Sequence, residues 1–211
     1  MTYVQALTYD FDVGDKTRVL LRATDGFNDL AVPGRKLTLW TSPVVSTAQS
    51  KFGGKSFLMN NGYVDFGTTD LPFEIGDFTI EGWVYTISIT GNQWWLSKGD
   101  GVSSCFKTYQ GNVYLQTRTQ YAMASAAAII PVGRWYHLAL TRKGNVYTIW
   151  IDGVAKMTTT DTAPGFGMSA VPLRIGGYEG SSNSYWDQIR VSNFSRYDTT
   201  FVPPASAFEL D

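Results

Sequence analysis

Glutamate is scarce in this chain: Glu74, Glu81, Glu179 and Glu209 are all of it. Glycoside hydrolysis uses two carboxylates about 5–10 Å apart across the scissile bond. Glu81 has Thr79 and Trp83 at the two positions where a second acid would share its strand face. It reads as a partnered or solvated strand residue. Asp10 and Asp12 do share a face at two-residue spacing, with no acid of the required type opposite. They read as polar residues at a loop end. His137 is the only histidine, which excludes a multi-histidine metal site and argues against a nucleophilic triad. It reads as a packed, hydrogen-bonded side chain in mid-strand. Cys105, the only cysteine, has no CxxC neighbour and reads as a small buried residue. Gly53-Gly54-Lys55-Ser56 ends like a phosphate loop. That motif needs Gly at position 49, where Gln stands, and a helix after Ser56, where a strand pattern follows. No catalytic residue emerges.

Binding chemistry has more candidates. Sugars stack on aromatic faces and take hydrogen bonds from amides and carboxylates. The aromatics at predicted strand ends and loops are Trp94, Tyr109, Tyr178 and Trp186, with Glu179 and Arg190 as polar partners. Trp94 and Trp95 are adjacent, so on a strand they point to opposite faces and one of them is core. Trp186 shares parity with Gln188 and Arg190, the expected outward side. Asp187 shares parity with Tyr185, Ile189 and Val191, so its carboxylate is expected to point inward. A buried carboxylate needs a partner or a cation. Ca²⁺ takes 6–8 oxygens, and Asp12 with Asp187 would begin such a shell, loop carbonyls completing it. The alternative is that Asp187 is satisfied by backbone amides and by Arg190 or tyrosine side chains.

These residues hang on a succession of short strands. The strongest signal runs from Gly133 to Val154. Two runs rich in aromatic and β-branched residues flank Lys143-Gly144-Asn145, and Asp152-Gly153 follows as a second tight turn. Trp135, His137, Ala139 and Thr141 point one way; Tyr136, Leu138, Leu140 and Arg142 point the other. Neither face is polar, so both are expected to be covered. Residues 3–13 alternate and predict a first strand. Further strands are predicted at 19–21, 36–40, 78–87, 93–97, 104–109, 113–118, 173–175 and 185–192. Residues 56–59 and 63–66 predict a hairpin around Asn60-Asn61-Gly62. Residues 122–130 are rich in Ala, but Pro131 argues for an extended or loop segment. The tail, 196–211, carries Pro203-Pro204 and predicts a closing strap.

Composition sets the outer limits. A chain of 211 residues fits one large all-β domain spanning 1–211, strap included. It is 44% hydrophobic, 17% charged and 15% aromatic, with 21 glycines for its many turns. A net charge of −1 gives no drive toward nucleic acid. A lone cysteine closes no intrachain disulfide. No apolar run approaches the ~20 residues of a membrane span, so no membrane insertion is expected. The N-terminus has no signal-peptide pattern, which predicts synthesis in a host or cell cytoplasm.

Four blocks in order carry a resemblance. They are residues 46–56 (Ser-Thr-Ala-Gln-Ser-Lys-Phe-Gly-Gly-Lys-Ser), 76–85 (Gly-Asp-Phe-Thr-Ile-Glu-Gly-Trp-Val-Tyr), the hairpin from Gly133, and 172–178 followed by 187–192 and 195–204. Together they resemble the concanavalin A-like, laminin-G-like jelly-roll domains, in the version common in tailed-phage and prophage virion proteins. The resemblance implies a β-sandwich of two antiparallel sheets, one of them curved. It implies that relatives often bind sugar or calcium. Hydrolytic members place Glu, Asp and Glu at two-residue spacing on one strand face, and no such run exists here. The loop from Arg22 to Asp29 lacks the Asp-Ser-Ser-Gly-Asn type of turn common in relatives, which leaves that loop without a carried-over role. The expectation is a non-enzymatic module at a virion surface that binds glycans, with no required cofactor. The alternative is a structural virion protein, a capsid decoration or tail protein, that docks on other virion proteins or on copies of itself. Glycoside hydrolysis is the third reading, which the missing acids oppose.

Overall fold

The computed structural model describes residues 16–41, 43–68, 73, 76–98, 104–163, 166, 171–177 and 182–211. The described residues form fifteen strands: β1 (Thr17–Leu21), β2 (Thr38–Trp40), β3 (Val44–Ser46), β4 (Ser56–Leu58), β5 (Tyr63–Asp65), β6 (Phe78–Thr86), β7 (Gln93–Lys98), β8 (Cys105–Tyr109), β9 (Asn112–Gln116), β10 (Tyr121–Ser125), β11 (Trp135–Lys143), β12 (Val146–Ile151), β13 (Val154–Thr160), β14 (Leu173–Gly176) and β15 (Ser184–Ser192). One helical turn, α1 (Ala126–Ile129), follows β10. The first sheet has the order β13-β12-β11-β6-β15-β4-β3, with β1 also on β15; the second has the order β10-β9-β8-β7-β14-β5-β2. The result is an all-β, two-sheet jelly-roll sandwich, as the resemblance implied.

Alternation builds the core. Phe78, Ile80 and Val84 of β6, Tyr136, Leu138 and Leu140 of β11, and Tyr147, Ile149 and Ile151 of β12 face inward from the first sheet. Val64, Trp95, Phe106, Val113, Leu115 and Ile175 meet them from the second. The β11–β12 hairpin forms as its turn residues require, with Gly144 at φ +58°.

Three local expectations need correction. Residues 56–66 are not a hairpin. β4 pairs with β3 and β15, whereas β5 pairs with β2 and β14. Asn60 and Asn61, both at positive φ, instead carry the chain from one sheet to the other. The extended reading of residues 122–130 holds for the strand at 121–125 and fails only at 126–129, where the Ala-rich run makes one helical turn. In β15 the register slips between Asp187 and Arg190, and Gln188 takes a φ of +59°. That bulge inserts one residue and reverses parity across it. The predicted strand at 3–13 lies outside the described residues.

Candidate functional site

The outer face of the first sheet is closed by the chain's own tail. Leu20, Trp83 and Phe208 form a second small core there, with Phe52 and the half-buried Trp135 packed on it. Glu81 lies beneath, its side chain fully buried. His137 Nε2 donates to Glu81 Oε2 at 3.0 Å, and the Tyr197 hydroxyl donates to the same oxygen at 2.8 Å. Arg190 Nε donates to Glu81 Oε1 at 2.8 Å, with Arg196 at 3.5 Å. Burial alone would raise the Glu81 pKa. The His137 hydrogen bond, the Arg190 charge and the Tyr197 hydroxyl outweigh it and hold the carboxyl below its ordinary 4.5. This acid is neutralised, sealed from solvent and has no second carboxylate among its partners. It is the partnered strand residue that the sequence suggested.

The tail is pinned from both sides. Arg22 pairs with Glu209, Arg196 with Asp211 and Lys143 with Asp198. The Tyr197 and Phe201 rings stack with centroids 3.5 Å apart. Phe201 crosses so close to Gly153 that a Cβ there would lie 1.8 Å from the Phe201 carbonyl oxygen. Glycine at 153, with φ +77°, is therefore required twice over.

Two of the sequence candidates belong to this closed side of the molecule or to the core beneath it. Arg190 is buried on Glu81 and is not free to meet a sugar. Trp186 is 1% exposed and packs inward. Its expected outward parity is corrected by the β15 bulge. The ring has its space because Gly82, on the neighbouring strand, carries no side chain: a Cβ there would stand 3.1 Å from the indole. Asp187 is buried on the outer side of β15. Its Oδ2 accepts the amides of Phe52 at 2.9 Å and Lys51 at 3.3 Å, and its Oδ1 accepts from Gln188 Nε2 at 3.0 Å. Burial still holds its pKa above the ordinary 3.8. These donors are amides, the first part of the alternative to a cation that the sequence offered. Among the described residues no group of three or more His, Cys, Asp or Glu is placed to hold a metal ion. Asp12, Tyr178 and Glu179 lie outside the described residues.

The other two candidates come together on the second sheet. Register sets Trp94 opposite Lys107, Lys107 opposite Tyr114, and Tyr114 opposite Met123. One row of outward side chains thus crosses β7, β8, β9 and β10. Gln116 and Tyr121 form a flanking pair on one side, and Tyr109 and Asn112 one on the other. Strand spacing of ~4.8 Å makes the row ~14 Å across, room for a short oligosaccharide. Tyr121 is 69% exposed, Met123 55% and Tyr109 41%. The Tyr109 and Tyr114 rings meet edge to face at 6.3 Å. Trp94 is outward yet buried, roofed by Lys107, whose ammonium sits 4.3 Å from the indole centroid. Trp94 is therefore a floor beneath the surface rather than a stacking face.

The β9–β10 turn that sets the platform's edge is fixed by Asp161, which accepts from Thr117 Oγ1, Thr119 Oγ1 and Thr119 N at 2.6–2.9 Å. Burial pulls the Asp161 pKa up, but the bonds from Thr119 and Thr117 outweigh it and hold the carboxyl at about 2. Sequence reasoning named Trp94 and Tyr109 and missed Lys107, Tyr114, Tyr121 and Met123. Their signal is parity: each lies two residues from another outward polar or aromatic side chain on its strand. At the far edge of the same sheet Trp40, 52% exposed, stacks on Tyr63 at 6.0 Å.

The family model of the concanavalin A-like lectin/glucanases superfamily, of the laminin G type, matches residues 58–198. The chain belongs to this superfamily. Among solved structures it is similar to domain 4 of AbnA, an extracellular arabinanase from Geobacillus stearothermophilus, in complex with arabinotriose. The TM-score is 0.67 at 13% identity, over 86% of this chain and 94% of that one. It is also similar to the binding domain of Paraclostridial Mosquitocidal Protein 1 (TM-score 0.63, 13% identity, 88% of this chain and 49% of that one). The botulinum neurotoxin serotype D binding domain gives a TM-score of 0.62 at 10% identity, over 85% of this chain and 49% of that one. The chain thus spans about half the length of the two toxin domains. At these identities the likeness is one of fold. No curated protein sequence matches the chain.

Proposed function

We propose that this superfamily member is a non-enzymatic glycan-binding module, carried at the surface of a phage or prophage particle. The observation that carries the binding reading is the platform of exposed Tyr109, Tyr121 and Met123 and half-buried Tyr114 beside the amides of Asn112 and Gln116. Aromatic faces with neighbouring amides are what a sugar's apolar and hydroxyl surfaces require, and Tyr109, Tyr121 and Met123 stand open to solvent. The sealed, fully partnered Glu81 supports the absence of hydrolysis. The arabinanase domain, described with arabinotriose, supports the ability of this fold to hold a glycan. The four ordered sequence blocks support the virion setting. Binding on this platform requires no metal or cofactor.

Single-site affinity on such a surface is expected near −4 to −5 kcal/mol, roughly millimolar. Repetition on a particle would add about 10²–10⁴ in avidity. The test is a multivalent display of the domain on host cells and glycan arrays, beside Tyr114→Ala and Tyr121→Ala. Binding by the parent that both variants lose supports the reading; binding that both variants keep removes the platform from it.

A specific feature favours a second reading, docking on another virion protein. Leu39, Trp40, Val44 and Val45 are all exposed at the β2 and β3 edges of the two sheets, an apolar margin suited to a protein neighbour. Crosslinking from Val45→Cys in intact particles distinguishes the two: a discrete adduct with one virion protein supports docking, and its absence beside retained glycan binding supports the module.

A further inference from the structure

We propose that the β7–β10 platform selects acidic glycans, with a sugar carboxylate on the Lys107 ammonium and the sugar ring on Tyr114 and Tyr121. The inference rests on the glycan-binding reading and names the ligand class of the same site. Its first ground is the sequence of the platform. From Gly101 to Ile151 the chain holds no Asp or Glu, although it has five cations there, Lys107, Arg118, Arg134, Arg142 and Lys143. The strands β8, β9 and β10 therefore present no carboxylate of their own to repel an anion.

The second ground is Lys107 itself. Elsewhere in the molecule the buried or half-buried Arg35, Arg174 and Arg190 pair with carboxylates, Arg35 with Asp29, Arg174 with Asp65 and Arg190 with Glu81, whereas Lys51 rests on the Trp83 ring on the covered face. Lys107 is half-buried in the middle of the cross-strand row, and its ammonium faces the Trp94 ring. Among the described residues it forms no ion pair. A cation on an indole face is held in place by the ring quadrupole, yet it keeps its charge and its outward donors. Asp161, a carboxylate at the platform's edge, is spent on Thr117, Thr119 and Ala163. The result is a positioned ammonium with no carboxylate partner among the described residues, beside the half-buried Tyr114 and the exposed Tyr109. An acidic sugar offers both surfaces at the spacing of adjacent strands: a carboxylate for the ammonium and a ring face for the phenol beside it.

The experiment displays the domain multivalently on an array in which every acidic glycan is printed beside its carboxyl-reduced form. The parent is expected to bind one or more acidic glycans about tenfold better than the reduced partner, with a preference that fades as salt rises. Lys107→Gln should abolish the preference and keep the residual neutral binding, and Lys107→Arg should restore it. Tyr114→Ala and Tyr121→Ala should lower binding to both forms. Equal binding of acidic and reduced forms, unchanged in Lys107→Gln, overturns the acidic selectivity and leaves the glycan-binding reading standing. No binding to either form overturns both. Circular dichroism of Lys107→Gln, expected to match the parent, separates lost recognition from lost fold.

Discussion

The two sheets of this sandwich present opposite outer faces. Both carry aromatics and cations. On the first sheet the tail from Arg196 to Asp211 folds back, and what would have been surface becomes a second core of Trp83, Phe208 and the Glu81 network. On the second sheet the rows at β8–β10 keep Tyr109, Tyr121 and Met123 in solvent. The lesson is that residue type does not separate a binding face from a structural one. Trp83, Arg190 and His137 would make a persuasive sugar site if exposed. Coverage by a remote part of the chain decides which face is free to bind.

The largest effects are expected in the covered sheet and the core beneath it. Trp186→Ala should cost about 3–5 kcal/mol, the range for a large buried aromatic, read from urea unfolding. A cost within the error of the measurement would place Trp186 back on the surface. Glu81→Ala should cost a similar ~3–5 kcal/mol, because it strands the Arg190 charge in a buried site. Little effect would mean that the tail is loose enough to let water reach Arg190.

Acidity sharpens the same contrast. The folded pKa of Glu81 lies below its ordinary 4.5, so its stabilisation is complete above pH 4.5 and is lost as the pH falls through the folded value. Asp187 has the opposite sign: its folded pKa lies above 3.8, so its ionisation subtracts stability as pH rises through that value. The stability gap between the parent and Glu81→Gln should therefore be widest near neutrality and narrow below pH 4.5. A gap independent of pH would mean that Glu81 is not held ionised by the network. The smallest effect belongs to the open face. Tyr121→Ala should change stability by no more than about 0.5 kcal/mol, and a cost of several kcal/mol would show that this ring is structural.

Much of the fold was legible in the sequence because alternation and turn chemistry are local. The faces of β6 and β11 follow directly from Phe78, Ile80 and Val84 and from Tyr136, Leu138 and Leu140. What failed depended on distant partners. The Asn60-Asn61-Gly62 turn has hairpin chemistry, yet its flanking strands find better partners in different sheets. The β15 bulge sits at Gln188, a residue with no intrinsic liking for positive φ, so nothing local announced it. Gly82 in mid-strand was the one available hint that a large ring from a neighbouring strand needed its space. The platform was half legible: Trp94 and Tyr109 were named, but grouping them with Tyr114, Tyr121 and Met123 required the registers of three strand pairs.

The central claim is that ligand meets the open face and never the covered one. Amide chemical-shift mapping during titration with an oligosaccharide drawn from the array tests it most directly. The account predicts shifts that cluster on Lys107, Tyr109, Tyr114, Gln116, Tyr121 and Met123, with the amides of Glu81, His137 and the 196–211 tail unmoved. Shifts centred on the tail and the Glu81 network, with β8–β10 silent, would contradict it.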